Sequence, residues 1–288
     1  NPGFVKMGFS LGKDKLFNYL KLFGFGNKTG IDLNGEGKGI IFDVSDVNDL
    51  ELATTAFGQG VSVTPIQQIT AVSSIVNGGN LYRPYIMKSI LDGKTNNIYL
   101  ENEKKLVRKT ISESTTKTMR MALESVVARG GGKVTYIDGY RVGGKTGTAQ
   151  KVKDGRYLEN NYIMSFMAVL PSNDPKVVLY LAIDNPKKTA LLSSYTTTPF
   201  VRKILLDMIN IMNIKKQPNQ ALKDYEWMDK KYYKVPNVVG MTKSEAKKTL
   251  SNFSVTLVSD GDVVVEQSPE AGSRYYETGE VKLLLGNK

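Results

Sequence analysis

A polar stretch that begins at Lys215 divides this 288-residue sequence into two unequal blocks, and this division constrains the fold more than any other feature. The stretch contains Pro218 and follows a long block with regularly spaced apolar residues. Composition shifts of this kind are typical of a linker between two domains. The sequence therefore predicts a large domain over residues 1–214, a linker over 215–233 and a small domain over 234–288.

The large block predicts an antiparallel sheet with helices packed on it. Apolar residues at helical spacing indicate two helices, at 114–129 and 199–212. Strand-like runs lie between them at 140–150, 163–170 and 177–183, and a turn sequence with two prolines joins the last two runs. Strands that are followed by a closing helix favour the α+β class.

The small block predicts a second α+β unit. Thr242 is a helix N-cap, and Glu245 three residues later completes a capping box. Strand-like runs follow at 255–258, 263–266 and 281–285, separated by glycine turns. We expect a short helix and a three-stranded sheet around a small core, which is marginally stable by itself.

The sequence contains no histidine and no cysteine. This composition excludes a Ser-His-Asp triad, a Cys-His pair, a disulfide, and a zinc or iron–sulfur site built on those residues. Any chemistry must therefore use Ser, Thr, Lys, Tyr, Asn or carboxylate side chains. We expect no metal and no cofactor.

The charge of the chain favours anionic surfaces. Lys and Arg total 39 against 28 Asp and Glu, which gives a net charge of +11. Such an excess suits nucleic acid, phospholipid headgroups or an anionic cell wall. The basic residues are spread along the chain, and no arginine-rich or aromatic-interleaved stretch stands out, so we do not expect nucleic-acid binding.

The beginning of the sequence indicates a piece of a longer protein. It starts with Asn1-Pro2 rather than Met, and it has no signal peptide. It also lacks an apolar run of the ~18 residues that span a bilayer. We therefore expect any membrane anchor to lie upstream.

The strongest local signal is a Lys-Thr-Gly tripeptide within residues 143–150, and it has two interpretations. Residues 139–146 satisfy the phosphate-loop pattern GxxxxGK[ST]. That loop requires a buried strand before it and a helix after it. Here a short polar run precedes the pattern and turn residues follow it, so we favour a strand that lines a cleft.

The residue types in this run suit the binding of a carboxylate-bearing substrate. The ammonium of Lys145 and the hydroxyls of Thr146 and Thr148 can hold a carboxylate, and Gly147 leaves room for a substrate backbone. The backbone N–H of Thr148 can donate to an oxyanion. The tripeptide alone is a weak signal, because residues 28–30 repeat it in a predicted turn and a solvated edge strand would show the same residues.

Several stretches occur in an order that resembles the transpeptidase domain of class B penicillin-binding proteins. They are residues 23–33, 57–67, 77–84 and 143–150. The small block, through residues 235–240 and 267–272, resembles a PASTA domain. The resemblance covers nearly the whole chain. Within the class, the sequence is most similar to members that act in sporulation and cell division. It implies the α+β fold of penicillin-binding proteins and serine β-lactamases.

The family uses three motifs in order, Ser-x-x-Lys, Ser-x-Asn and Lys-Thr-Gly, and only the third is complete here. Asn1 resembles the last residue of the second motif, so the resemblance implies that Asn1, Lys145 and Thr148 are catalytic. Ser-x-x-Lys also occurs at Ser10, Ser114 and Ser244, but downstream of Asn1. We interpret these three as surface residues and expect the nucleophile to lie upstream.

The resemblance implies a peptidoglycan DD-transpeptidase with an acyl-serine intermediate. Its expected partners are stem peptides that end in D-Ala-D-Ala, β-lactams, and a divisome or spore-cortex glycosyltransferase. The expected location is the outer face of the cell membrane, on a single upstream anchor, and this piece alone should be inactive. A second class stays open, namely a catalytically inactive scaffold that binds cell-wall or divisome partners.

Overall fold

The computed structural model describes residues 1–153, 155–186, 196–223 and 231–287. The helices in these ranges are α1 (Pro2–Leu11), α2 (Lys13–Leu22), α3 (Asp49–Ala56), α4 (Pro65–Val76), α5 (Glu113–Arg129), α6 (Thr198–Ile211) and α7 (Lys243–Thr249). The strands of the large domain are β1 (Asn80–Tyr82), β2 (Ser89–Leu91), β3 (Ile98–Glu101), β4 (Leu106–Lys109), β5 (Gly143–Lys153), β6 (Arg156–Leu170) and β7 (Val177–Asp184). Those of the small domain are β8 (Tyr232–Lys234), β9 (Ser254–Leu257), β10 (Val263–Ser268), β11 (Arg274–Tyr276) and β12 (Glu280–Gly286).

Side-chain caps define where several helices begin. Thr64 forms a capping box with Gln67 at the start of α4, where Pro65 occupies the first turn. Ser112 caps α5 by accepting from the backbone N–H of Thr115. The predicted capping box of Thr242 and Glu245 begins α7. The caps satisfy backbone donors that the helices themselves leave unpaired.

The central sheet of the large domain is antiparallel, with the strand order β5-β6-β7. Thr146 lies opposite Phe166 and Thr148 lies opposite Met164 in the β5–β6 register. The three strands, the helix near 114–129 and the helix near 199–212 correspond to the predicted elements, although β6 begins seven residues earlier than residue 163. β5 lies at an edge of this sheet within the described part of the chain.

Helices cover both faces of this sheet. Even-numbered residues of β6 and apolar residues of α6 form one core, which includes Phe166, Ala168, Val201 and Leu205. On the opposite face, a Cβ at Gly143 would lie 3.2 Å from the Cβ of Leu123 on α5. α5 also contributes Val127 to the main core, so the edge strand β5 packs against both this helix and the core.

The first part of the large domain is helical and carries two small ribbons. Phe17, Val47 and Leu52 form its own core, and α1 packs on α3. β1 pairs with β4 and β2 pairs with β3, both antiparallel. The sequence did not predict these ribbons, because strands of three or four residues are too short for a periodic pattern.

The small domain contains the predicted helix and three-stranded sheet. The sheet has the order β10-β12-β9, with β12 parallel to β9 and antiparallel to β10. A second pair, β8 with β11, was not predicted. Its core is small and joins the helix to the sheet through Val238, Ala246, Leu250, Val264 and Leu283.

The predicted linker begins with residues that contact the large domain. The backbone N–H of Gln217 donates to the carbonyl of Gly139, and Gln220 bonds to the backbone of Ile137 and Gly139. Residues 224–230 of the predicted linker lie outside the described residues. None of the helices in the described ranges is both long and apolar enough to cross a membrane.

Candidate active site

The Lys-Thr-Gly tripeptide lies on an extended strand. β5 continues beyond Thr146 to Lys153, so no helix begins at the position that a phosphate loop requires. The structure therefore contradicts the phosphate-loop interpretation and confirms that the tripeptide lies on a strand. Lys145, Thr146, Gly147 and Thr148 are consecutive on this edge strand, and the structure brings these four predicted residues together.

The hydrogen-bond ladder shows which way the backbone of β5 points. The carbonyls of Tyr162 and Leu170 on β6 accept from the N–H groups of Asn185 and Lys176, at 2.8 and 2.9 Å on the β7 side. Bonding directions alternate along an antiparallel strand, so even-numbered residues of β6 bond to β7 and odd-numbered residues bond to β5.

The same alternation fixes the direction of the β5 amides. Thr146 and Thr148 lie opposite Phe166 and Met164, which are even-numbered residues of β6. Their N–H and C=O groups therefore point away from β6, toward the side of β5 that no strand of the described residues pairs with. The backbone N–H of Thr148 therefore points to the outer edge of β5, and its predicted role as an oxyanion donor stays a prediction.

The ammonium of Lys145 lies beside this edge. Lys145 Nζ donates to the carbonyl of Thr146 at 2.8 Å, and that carbonyl points to the same unpaired side. Lys145 is exposed as a whole residue, but partial burial of its ammonium lowers the Lys145 pKa below the usual lysine value. A bound carboxylate would offer this ammonium a stronger, charge-assisted partner than a carbonyl.

Two glycines of β5 lie where any side chain would collide with residues of β6. A Cβ at Gly147 would lie 2.5 Å from the Oγ of Ser165, its partner across the ladder. A Cβ at Gly144 would overlap the ring of Phe166. The sequence predicted that Gly147 makes room for a substrate backbone, and the structure adds a packing reason for glycine at this position.

The loop after α5 borders the site. A Cβ at Gly131 would lie 3.8 Å from both Oγ1 and Cγ2 of Thr146, so the Thr146 side chain faces this loop. The sequence predicted the neighbouring glycines only as the end of a helix. Their small size also lets the loop approach the second residue of the tripeptide.

Asn1 lies on a separate element from the Lys-Thr-Gly strand. It is exposed and precedes α1, which packs on α3, whereas β5 packs on α5. The catalytic role that the resemblance implies for Asn1 therefore stays a prediction.

The Ser-x-x-Lys matches lie at the surface. Ser10, Ser114 and Ser244 are all exposed. Lys13 donates to the carbonyl of Val47, and Lys117 pairs with Glu113 at 4.0 Å. These two lysines therefore bind groups other than the serine of their own motif, as expected for surface residues.

The second Lys-Thr-Gly tripeptide, at residues 28–30, holds a carboxylate within the chain. The N–H and Oγ1 of Thr29 each donate to Oε1 of Glu36 at 2.6 Å, and the N–H of Gly30 donates to Oε2 at 3.0 Å. Burial opposes ionisation of Glu36, but these hydrogen bonds outweigh it and lower the Glu36 pKa. This loop is structural, as the sequence predicted.

Sequence reasoning missed a buried ion pair that adjoins β5. Glu124 on α5 is only 3% exposed, and its carboxylate accepts from the guanidinium of Arg141, two residues before β5. Burial opposes ionisation, but hydrogen bonds from Arg141, Ala221 and Ser172 lower the Glu124 pKa overall. The sequence did contain a signal for this burial, because Glu124 lies three residues before the buried Val127 and therefore on the same face of the helix.

The chain matches two protein families. Residues 1–206 match the Transpeptidase family, described as the penicillin binding protein transpeptidase domain, and residues 233–287 match the PASTA domain. The chain is 51% identical over 285 residues, 99% of its length, to Stage V sporulation protein D of Bacillus subtilis (strain 168). It spans only 44% of the length of that relative.

Two further relatives agree with this match. The chain is 30% identical over 220 residues to peptidoglycan D,D-transpeptidase FtsI of Escherichia coli (strain K12), covering 75% of this chain and 35% of that protein. The crystal structure of penicillin binding protein 3 from Mycobacterium tuberculosis, complexed with aztreonam, superposes with a TM-score of 0.69 at 25% identity. That superposition covers 77% of this chain and 52% of the other. The predicted fold class and the resemblance to sporulation and division members are confirmed.

Proposed function

The chain belongs to the penicillin-binding protein transpeptidase family, and we propose that the whole protein is a peptidoglycan DD-transpeptidase that crosslinks stem peptides. In this proposal, the 288 residues supply the side of the active site that binds the substrate carboxylate and the oxyanion. A Ser-x-x-Lys motif outside them supplies the nucleophile. The name of the E. coli relative supports this reaction class.

The proposed reaction has two acyl-transfer steps. The serine oxygen attacks the carbonyl of the penultimate D-Ala, and a neighbouring base takes the serine proton. The peptide C–N bond then breaks, and the terminal D-Ala leaves as an amine that takes up a proton. An acceptor amine next attacks the acyl-serine ester and forms the crosslink as the ester C–O bond breaks, and a proton of that amine passes through the base to the serine oxygen.

The observation that carries the proposal is the outer edge of β5, which pairs with no other strand among the described residues. The ammonium of Lys145 and the outward N–H of Thr148 lie within four consecutive residues of one strand. In the proposed complex, Lys145, Thr146 and Thr148 hold the terminal carboxylate, while the N–H of Thr148 donates to the oxyanion of the tetrahedral intermediate. β-Lactams would enter the same position as mimics of D-Ala-D-Ala.

We place the whole protein at the outer face of the cell membrane, held by an anchor that precedes these residues. The PASTA domain and the net charge of +11 suit contact with an anionic cell wall. A divisome or spore-cortex glycosyltransferase is the proposed protein partner. The 51% identity to a sporulation protein favours the spore-cortex role.

A fluorescent penicillin tests the proposal. The full-length protein, containing both this chain and an upstream Ser-x-x-Lys motif, should form a covalent fluorescent band. The 288-residue chain alone should not, because covalent catalysis needs a serine beside a base. A band on the chain that disappears with Ser114→Ala would show that the nucleophile was misassigned. A folded full-length protein that never labels would favour the inactive scaffold.

A further inference from the structure

Glu124 joins parts of the chain that are far apart in sequence. Arg141 donates to its carboxylate through Nε, at 3.1 Å to each oxygen, and through Nη2 at 2.8 Å. The hydroxyl of Ser172, in the turn between β6 and β7, donates to Oε2 at 2.8 Å. The backbone N–H of Ala221 donates to Oε1 at 2.8 Å. The carboxylate thus connects α5, the loop before β5, the β6–β7 turn and the predicted linker.

The predicted linker supplies a strap, defined as residues 217–221. The N–H of Gln217 donates to the carbonyl of Gly139 at 2.6 Å. Gln220 accepts from the N–H of Gly139 at 2.6 Å and donates to the carbonyl of Ile137 at 2.9 Å. Arg141 Nη1 also reaches the carbonyl of Pro218 at 3.3 Å. The strap therefore lies along the loop that leads into β5.

Backbone pairing and close packing, rather than side-chain bonds, hold the first residues of β5. Gly143 and Gly144 pair with Val169 and Ala168, and the carbonyl of Arg141 accepts from the N–H of Ser172 at 2.7 Å. Gly143 and Gly144 are glycines that pack closely against their neighbours but offer no side chain to fix the strand. Val142 is buried in the main core, and Arg141 has a positive φ of 46°, a backbone conformation that non-glycine residues seldom adopt. Arg141 therefore needs its surroundings to hold it in place.

We propose that Glu124, Arg141 and the strap together position the Lys-Thr-Gly strand for catalysis. Lys145 follows Arg141 by four residues, about 13 Å along an extended strand. If the ion pair or the strap is loosened, the start of β5 can shift relative to β6, and Lys145 and Thr148 shift with it. Glu124 and Arg141 are positioning residues in this proposal, which rests on the proposed function for its effect on catalysis.

The proposal changes where the catalytic unit ends. In this proposal, residues 217–221 of the predicted linker stabilise the position of the Lys-Thr-Gly strand. The catalytic unit should therefore require the strap but not the PASTA domain. The chain can be cut on either side of the strap, which separates these two requirements.

Two truncations of the full-length protein test this requirement. A chain that stops after Lys223 keeps the strap, and one that stops after Ile214 loses it. At saturating fluorescent penicillin, we expect the first truncated protein to be acylated at a rate within about twofold of the rate of the uncut protein. The second should acylate about tenfold more slowly, since small misplacements of reacting groups slow reactions strongly. Equal acylation by the two truncations would overturn the proposal.

A milder pair of variants separates positioning from folding. Gln220→Ala removes the strap's two side-chain bonds to residues 137 and 139, and it should lower the acylation rate severalfold with little change in penicillin affinity. Asn219→Gly is the matched control, because Asn219 is exposed in the same strap and has a φ of 57° that glycine adopts readily. It should leave the rate unchanged. Equal rates for both variants would reject a positioning role.

Hydrogen exchange in the 288-residue chain tests the coupling without any catalysis. The N–H groups of Lys145 and Gly147 bond to β6 and should exchange several times faster in Gln220→Ala, while those of β12 should not change. Unchanged exchange at β5 would overturn the proposal even if acylation fell. Faster exchange in a protein whose full-length form never acylates would instead reject the proposed function and retain the coupling.

Discussion

Gly147 and Ser165 lie opposite each other on β5 and β6, and the Ser165 hydroxyl occupies the space that a side chain at position 147 would need. Glycine at this position therefore has a packing role, and the proposed function adds a second role toward substrate. The two roles can be separated, because the packing conflict involves a single hydroxyl that can be removed.

We predict that Gly147→Ala lowers both stability and acylation. The new methyl group meets Ser165 Oγ, and overpacking of this kind costs about 1–3 kcal/mol. Adding Ser165→Ala should restore the melting temperature, since the hydroxyl is then absent. Acylation of the double variant should stay at least about tenfold low if the methyl group also blocks the substrate backbone. Recovery of both quantities would leave Gly147 with a packing role alone.

The backbone N–H of Thr148 gives a second prediction. Thr148→Pro removes this N–H, whereas Thr148→Ser keeps both the N–H and the hydroxyl. Loss of one oxyanion donor costs on the order of 3 kcal/mol, a hundredfold or more in rate. We expect the serine variant of the full-length protein to acylate at nearly the normal rate and the proline variant to be severely slowed.

Melting temperatures must accompany these rates, because proline can also disturb a strand. The N–H of Thr148 points away from β6, so its loss removes no bond of the β5–β6 ladder. A proline variant that melts normally and still acylates fast would show that this N–H does not contact the oxyanion.

The Lys145 ammonium gives a third prediction, which compares two substrates. Lys145→Ala should slow acylation by a substrate with a terminal carboxylate, because the charge-assisted hydrogen bond is lost. A neutral activated ester without that carboxylate should react at nearly the same rate as with the unchanged protein. Equal losses on both substrates would assign Lys145 to proton transfer or to structure rather than to carboxylate binding.

The buried Glu124 predicts a specific dependence of stability on pH. Its pKa is lowered in the folded state, so the folded state binds its proton more weakly than the unfolded state. The stabilisation is therefore present above the usual glutamate pKa of about 4.3 and is lost as the pH falls through the lower folded value. The Glu124→Gln variant has no carboxylate to protonate here, so this part of the loss of stability in acid should be absent from it.

Urea unfolding of the 288-residue chain at several pH values measures this effect. Removing one partner of a buried ion pair costs about 3–5 kcal/mol, so Glu124→Gln should be clearly less stable at pH 7. The difference from the unchanged chain should shrink in acid, where Glu124 becomes protonated. A difference that stays constant with pH would mean that the charge of Glu124 contributes nothing to stability.

Local patterns predicted the elements that form the central sheet, and they also predicted the Lys-Thr-Gly strand. The helix that carries Glu124 and the three strands of the sheet are long enough for a periodic signal, and Thr242 with Glu245 is a complete capping signal. The three-residue strands β8 and β11 have no such signal, because their stability comes from pairing with each other.

Long-range contacts around the site could not be predicted in the same way. Glu124 and Ala221 are 97 residues apart, and neither residue type indicates the other as a partner. The packing of Ser165 against Gly147 likewise depends on the register between two strands, which the sequence does not specify locally. The residue types of the candidate site were predicted from local sequence, whereas the long-range contacts around it were not.

The position of the strap has a consequence for how such proteins can diversify. PASTA domains are small units that recombination could add, remove or duplicate at the carboxyl end of a transpeptidase. Exchange that joins a new module after residue 223 would keep the bond of Gln220 to the loop before β5 and the bond of Ala221 to Glu124 on α5. Exchange at the composition boundary after Ile214 would remove them together with the module. Natural or engineered fusions are therefore expected to tolerate new carboxyl-terminal modules only beyond the strap.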